Sequence, residues 1–375
     1  MNSVFDSFIL LGYAVIGHLF LVNLILGISI LIPIIEYIQI KRKDDYLKSA
    51  LKKIFKFMVI SDLFAGVWAT WITVFLGGFW PLLTFYATTI LFIPITISII
   101  GILIALPSIG IYWFNWDKIK ERTHLLVGII MAIGTIMVPI GFNMIFSFID
   151  YPYGMQQALN GSLYYVFGNP LYPDFTLHRI FGSLTMVSLM MVGIYSYLYW
   201  KKGDEKYRQL ISLFLYISIP TMLIESFLGF IYAWELNQYS PYIASVLFGP
   251  FSSSGSENSL FYLFVIFIII ISLLWILLLI SMLYYCKGKK LGYTSLVLSI
   301  LSLFAIPLGE FLNDYSRYPY FIITGDTGIK AENFLNGIMQ ISDIWVYSSI
   351  IISLALLSVY LWLVNRVIIK EKSYE

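Results

Sequence analysis

The sequence predicts an all-α, polytopic membrane protein: a bundle of nine transmembrane helices with its N-terminus outside and its C-terminus in the cytoplasm. Three observations carry that expectation. Hydrophobic residues make up 59% of the chain and charged residues 12%, too little polar surface to cover a soluble domain. Apolar runs recur that exceed the roughly 20 residues a helix needs to cross a bilayer. The basic residues also sort to alternate connections, as they do when loops face opposite sides of a membrane.

In order, the crossings fall at 8–38, 57–80, 88–114, 125–149, 177–200, 210–234, 260–285, 291–312 and 341–364. Backbone polar groups cannot stay unpaired in lipid, and no ten-residue alternating pattern marks a barrel, so each crossing is a helix. The start, MNSVFDS, has no basic stretch and no small-residue cleavage site, so the first crossing is expected to be retained rather than cut as a signal peptide. The connections after crossings one, three, five and seven, with the tail, hold all but three of the 23 Lys and Arg. Those three are Arg179, Arg317 and Lys330. The positive-inside rule sets the orientation from this asymmetry.

The other connections, about 151–176, 235–258 and 313–340, are longer and hold the turn-forming clusters, such as GPFSSSGS at 249–256. The whole chain, 1–375, is expected to be one transmembrane domain of the cell membrane. The single Cys286 excludes an intramolecular disulfide and a cysteine-ligated cluster. No phosphate-binding loop or dinucleotide fingerprint is present, and nucleic acid is not an expected partner.

Chemistry can then be placed by depth. His18 lies about ten residues into the first crossing, where an imidazole in hydrocarbon needs a partner, and metal ligation is one of the few available. His178 opens the fifth crossing in TLHRIFGS, and His124 opens the fourth beside Lys120 and Arg122. His124 reads as a solvated interfacial residue; His18 and His178 are the candidate ligands. Counted from the helix ends they differ in depth by about 10 Å or more at 1.5 Å per residue, which implies separate sites. Glu36 and Asp62 stand near the lysine-rich face and read as snorkelling partners of its lysines. Glu225, in PTMLIESFLGF, is a candidate proton carrier or unconventional ligand, and Glu310 and Asp314 stand near the outer end of the eighth crossing.

These residues carry a resemblance. GHLFLVNLILGISILIPIIEYI at 17–38 resembles the first helix of subunit I of the cytochrome bd quinol oxidases, with His18 on its axial haem ligand. Trp116-Asp117-Lys118 followed by His124 resembles the family's turn between helices 3 and 4. TLHRIFG at 176–182 resembles the segment that supplies the low-spin haem b histidine, and so implies that role for His178. DYSRYPY at 314–320, continued by Gly325 and Thr327, resembles the family's YGRQPW segment, with Arg317 and Pro319 retained. Nine helices with the N-terminus outside is the family's topology as well.

The departures shape the expectation. The acids that the resemblance implies on the third crossing fall on Ile97 and Ala105, and 91–116 holds no acid at all. The family's helix 8 glutamate falls on Pro307, with Glu310 three residues later. The low-spin haem's methionine falls on Phe267, which leaves Met222 or Met339 as substitutes. The quinol-loop region is cut down to 235–258 and contains no Lys or Arg.

The resemblance therefore implies a divergent haem-binding membrane subunit of a bd-type quinol:oxygen oxidoreductase complex in the respiratory chain. It would carry one or two haem b on His18 and His178 rather than haem d, with Arg317 and Arg179 facing propionates. It would pair with a fuller subunit I or a subunit II, in contact with membrane lipid and quinol. A second expectation is a complete quinol oxidase in which Glu225 or Glu310 replaces the missing acids. A third is a haem-free transporter or channel scaffold with a His18/Glu225 proton relay.

Overall fold

The computed structural model describes residues 3–252, 259–335 and 342–369. Among them are nine helices long and apolar enough to cross a membrane. These are α1 (Ser3–Arg42), α2 (Asp45–Phe79), α4 (Phe92–Phe114), α5 (Glu121–Asp150), α7 (Leu171–Lys202), α8 (Glu205–Tyr239), α10 (Phe261–Cys286), α11 (Gly292–Tyr315) and α12 (Asp343–Val364). The short helices α3 (Pro81–Ile90), α6 (Met155–Leu159) and α9 (Pro241–Phe248), with a hairpin of β1 (Tyr320–Thr324) and β2 (Thr327–Lys330), lie in the connections away from the lysine-rich ones.

Most expected crossings hold, but the helices run longer than their apolar cores. α7 begins at Leu171, seven residues before His178. The third crossing, expected from residue 88, instead starts at Phe92, because Leu91 leaves helical geometry and α3 stands as a separate helix. Two helix starts on the lysine-rich side, those of α2 and α8, are capped: Asp44 accepts from the Leu47 amide, and Asp204 from the Lys206 amide.

α7 is the most enclosed span and α1 the next. α7 packs against α8, α11, α1 and α5, so the core forms around it. Leu24, Ile28, Leu31 and Ile32 of α1 meet Val187, Leu189, Met191 and Val192 of α7 in the main cluster. In lipid no hydrophobic effect drives one helix onto another, so small residues that let backbones approach matter more. A β-carbon at Gly27 would collide with the Ser183 carbonyl of α7. One on Gly134 of α5 would stand 2.7 Å from the Ala105 nitrogen and 2.9 Å from the Gly101 carbonyl oxygen of α4. Gly134→Leu is therefore expected to lower stability by about 1–3 kcal/mol through overpacking. Gly110→Leu on α4, where a β-carbon meets nothing within 4 Å, should not. Thermal unfolding of the purified protein in one detergent compares the two.

Candidate functional site

Both candidate histidines are half-buried, and the same interaction orients each. His18 Nδ1 lies 3.0 Å from the Ala65 carbonyl oxygen on α2, and His178 Nδ1 lies 3.0 Å from the Glu225 carbonyl oxygen on α8. A carbonyl only accepts, so Nδ1 carries the hydrogen, and in the neutral ring Nε2 then keeps its lone pair. A backbone acceptor behind a histidine is the usual support of an imidazole that ligates through its other nitrogen.

The surroundings of His178 are reciprocal. Its ring lies against Gly229 of α8, where a β-carbon would stand 3.0 Å from Cε1 and 3.7 Å from Nε2. One turn deeper, the Glu225 carboxylate lies against Gly182 of α7, 3.1 Å from where a β-carbon would be. Each bulky polar side chain thus occupies space that a glycine of the other helix leaves open. Beside His18, a β-carbon at Gly17 would stand 3.2 Å from the Trp68 ring, so the glycine lets that ring pack against α1. At each histidine the donor set, an imidazole held through Nδ1 by a backbone carbonyl, fits a metal ion that would be ligated through Nε2.

Depth counted from the helix ends misplaced the pair. His18 is five residues before Asn23, and His178 is five residues before Ser183. Ser183 Oγ donates to Asn23 Oδ1 at 2.7 Å. As the first and fifth crossings, α1 and α7 run in the same direction, so the two imidazoles lie at similar depth, each about 7.5 Å from that crossing point. What separates them is the helix pair, α1/α2 for His18 and α7/α8 for His178.

Between those pairs runs a buried polar column. Glu310 accepts from Arg179 Nη2 at 2.6 Å and from Asn23 Nδ2 at 3.4 Å, while Arg179 Nη1 donates to Asn143 at 3.0 Å. Just past the C-terminal end of α11, Arg317 Nε meets Asp150 Oδ1 at 2.5 Å, and its Nη1 meets Asp314 at 3.3 Å. Tyr232 donates to the other Asp150 oxygen. The Phe146 ring lies between the guanidiniums, 5.1 Å from Arg179 and 5.8 Å from Arg317. Among the described residues, Arg317 Nη2 and Asn143 Nδ2 have no hydrogen-bond partner. Both arginines are ion-pair partners with little side-chain exposure, 9% for Arg179 and 4% for Arg317. Of the substitute methionines, Met222 is buried in the main core, and Met339 lies outside the described residues.

Three expectations need correction. His124 is not interfacial: it is 5% exposed, with Nδ1 2.6 Å from Glu36 Oε1 and Nε2 3.0 Å from the Tyr112 carbonyl oxygen. Glu36 is not a snorkelling partner of lysines, because its other oxygen accepts from the Tyr112 hydroxyl at 2.9 Å. Asp62 is half-buried, with no ion pair among the described residues. On this face Lys48 and Lys52 pair instead with Asp117, at 2.5 and 2.6 Å. Their ammonium groups hold the Asp117 carboxyl below its ordinary range, mainly through hydrogen bonds. A group depressed on folding stabilises above its unfolded pKa and loses that contribution as pH falls through its folded value. Acid unfolding of Asp117→Asn should therefore differ from the parent above about pH 4 and converge with it below; the difference is small because the pair is exposed.

These features define a polytopic helical membrane protein with two metal-competent imidazoles around a buried charge column. Residues 7–252 match the family model described as cytochrome bd terminal oxidase subunit I. The solved structure of bd oxidase from Geobacillus thermodenitrificans superposes with a TM-score of 0.82 at 17% identity, over 99% of this chain and 99% of that one. No curated protein sequence matches. The chain belongs to the cytochrome bd terminal oxidase subunit I family. It is a multi-pass cell-membrane subunit of the bd oxidase class, whose cofactors are haems.

Proposed function

We propose that this chain is a haem-binding subunit of a bd-type quinol:oxygen oxidoreductase complex, with fewer haems than the family standard. One or two b-type haems are held by His178 and His18, and a fuller subunit I or a subunit II completes the complex. The observation that carries this reading is the shared orientation of the two imidazoles, each Nδ1–H spent on a backbone carbonyl of a neighbouring helix. When bound, haem supplies one-electron transfer.

The protein's own groups position that chemistry. Arg317 keeps one unpartnered nitrogen in the interior, and a guanidinium donor suits a propionate. Arg179 has both terminal nitrogens engaged, so a propionate there would compete with Glu310. The same ion pair weighs against Glu310 as a replacement ligand, and with it against the complete-oxidase reading. Glu225 remains available as a proton-holding group one turn from His178.

A reduced-minus-oxidised visible spectrum of the purified protein tests the reading. A b-type signal is expected, and the lack of a Soret band would end it. Oxygen uptake with a quinol by this chain alone would instead overturn the reduced-haem part. Gly229→Val is expected to lose the same spectral component as loss of His178, because its side chain takes the space against that ring; an unchanged spectrum would remove Gly229 from the site.

A further inference from the structure

The Glu36–His124–Tyr112 triad lies apart from both candidate ligands and is not used by the proposed function. Hydrogen-bond accounting fixes its protons. The Tyr112 carbonyl oxygen accepts only, so His124 Nε2 must carry a hydrogen toward it at 3.0 Å. The Tyr112 hydroxyl donates to Glu36 Oε2. That leaves His124 Nδ1 and Glu36 Oε1 facing each other at 2.6 Å. Two bare lone pairs cannot hold that distance, so one proton lies between them, on an imidazolium beside a carboxylate or on a carboxylic acid beside a neutral ring.

The placement suits exchange with one side of the membrane. Glu36 is six residues, about 9 Å, from the lysine-rich end of α1, and His124 lies in the first turn of α5. Trp116 lies over the triad, its ring centre 4.8 Å from that of His124 and 5.1 Å from that of Tyr112. Phe55 closes the α2 side at 4.7 Å from Tyr112. The turn that carries Trp116 is held at Asp117, a non-glycine residue at φ 65°, by Lys48 and Lys52. The Lys52 ammonium also lies 5.3 Å over the Trp116 ring. A β-carbon at Gly128 would stand 3.1 Å from the Tyr112 ring, so the glycine lets that ring pack close against α5. Other charges near this end are Lys118 and Lys120 in the turn itself, Glu121 and Arg122 in the first turn of α5, and Lys56 of α2, whose ammonium lies 6.0 Å from the Trp113 ring centre.

We propose that Glu36, His124 and Tyr112 form a proton-binding site that exchanges with the lysine-rich face through the Trp116 turn, with the Lys48–Asp117–Lys52 clamp setting how readily the turn opens. The clamp is exposed and two-membered, so its loss should raise the opening frequency by roughly tenfold rather than by orders of magnitude.

The chain has three histidines, so 15N-histidine labelling of the full chain in lipid nanodiscs gives three resolvable rings, assigned with His18→Ala and His178→Ala. For His124, Nε2 should be protonated and Nδ1 intermediate between protonated and bare. Glu36→Gln should turn Nδ1 into a bare acceptor and leave the other two rings unmoved. Asp117→Ala should speed exchange of the shared proton with solvent by roughly tenfold. Should Glu36→Gln not fold, Tyr112→Phe serves: the carboxylate loses a donor, and the Nδ1 signal moves toward the bare form. A bare Nε2 in the parent, or an Nδ1 signal that neither variant moves, would overturn the shared proton. Exchange unchanged in Asp117→Ala would overturn the entry route.

Discussion

His178→Ala is expected to remove one haem component from the reduced-minus-oxidised spectrum, cutting its occupancy by tenfold or more, while the His18 component persists. Loss of a supporting partner behind a ligand weakens metal affinity by about 10–100-fold, and loss of the ligand itself should cost at least as much. The two components should separate because the supports do: Ala65 on α2 holds one ring and Glu225 on α8 the other. His18→Ala should give the complementary loss. Exogenous imidazole should restore part of the His178 component, since the cavity left by the ring keeps Gly229 as its far wall, and a merely structural histidine would show no such rescue. Spectra of both variants equal to the parent would remove the ligand assignments altogether.

How legible these positions were depends on whether the constraint was local. The spans followed from run length and the sorting of lysines, because both respond to the bilayer rather than to other parts of the chain. His18 stood out for the same reason: a lone imidazole in an apolar run demands a partner wherever the helix packs. Its partner did not stand out, since a backbone carbonyl leaves no trace in sequence. The error in depth came from counting residues from the apolar edge of each crossing, whereas α7 extends seven residues beyond His178 and the Asn23–Ser183 bond fixes the relative level. Glu36 and His124 are 88 positions apart, so each was assigned to nearby lysines when its real partner was on another helix. A rule that every intramembrane polar group finds a partner at its own depth would have matched them. The hairpin at 320–330 did leave a local signal, the β-branched run FIIT followed by Gly-Asp and Thr, with Gly325 at φ 74° making the turn.

Arg317→Met is expected to be the most destabilising single change in the polar column, by about 3–5 kcal/mol, the range for removing one partner of a buried ion pair. The Asp150 side chain is fully buried and that of Arg317 nearly so. Burial works against the guanidinium's charge, yet Asp150 and Asp314 hold it above its ordinary pKa. Without it, two carboxylates and the Tyr232 hydroxyl would be left facing one another with no cation among the residues they now bond. By comparison, each of the two bridges of the exposed Asp117 clamp belongs to the class that contributes about 0–1 kcal/mol. Thermal unfolding in detergent should place Arg317→Met far below the parent and Asp150→Asn between them, since the amide still accepts one hydrogen bond and leaves no new charge. The double variant should be less destabilised than the two single losses added together, because the charge stranded by one substitution is neutralised by the other. Strict additivity would mean that Arg317 and Asp150 are held by their separate surroundings, and the outer column would then be two independent sites joined only by a short contact.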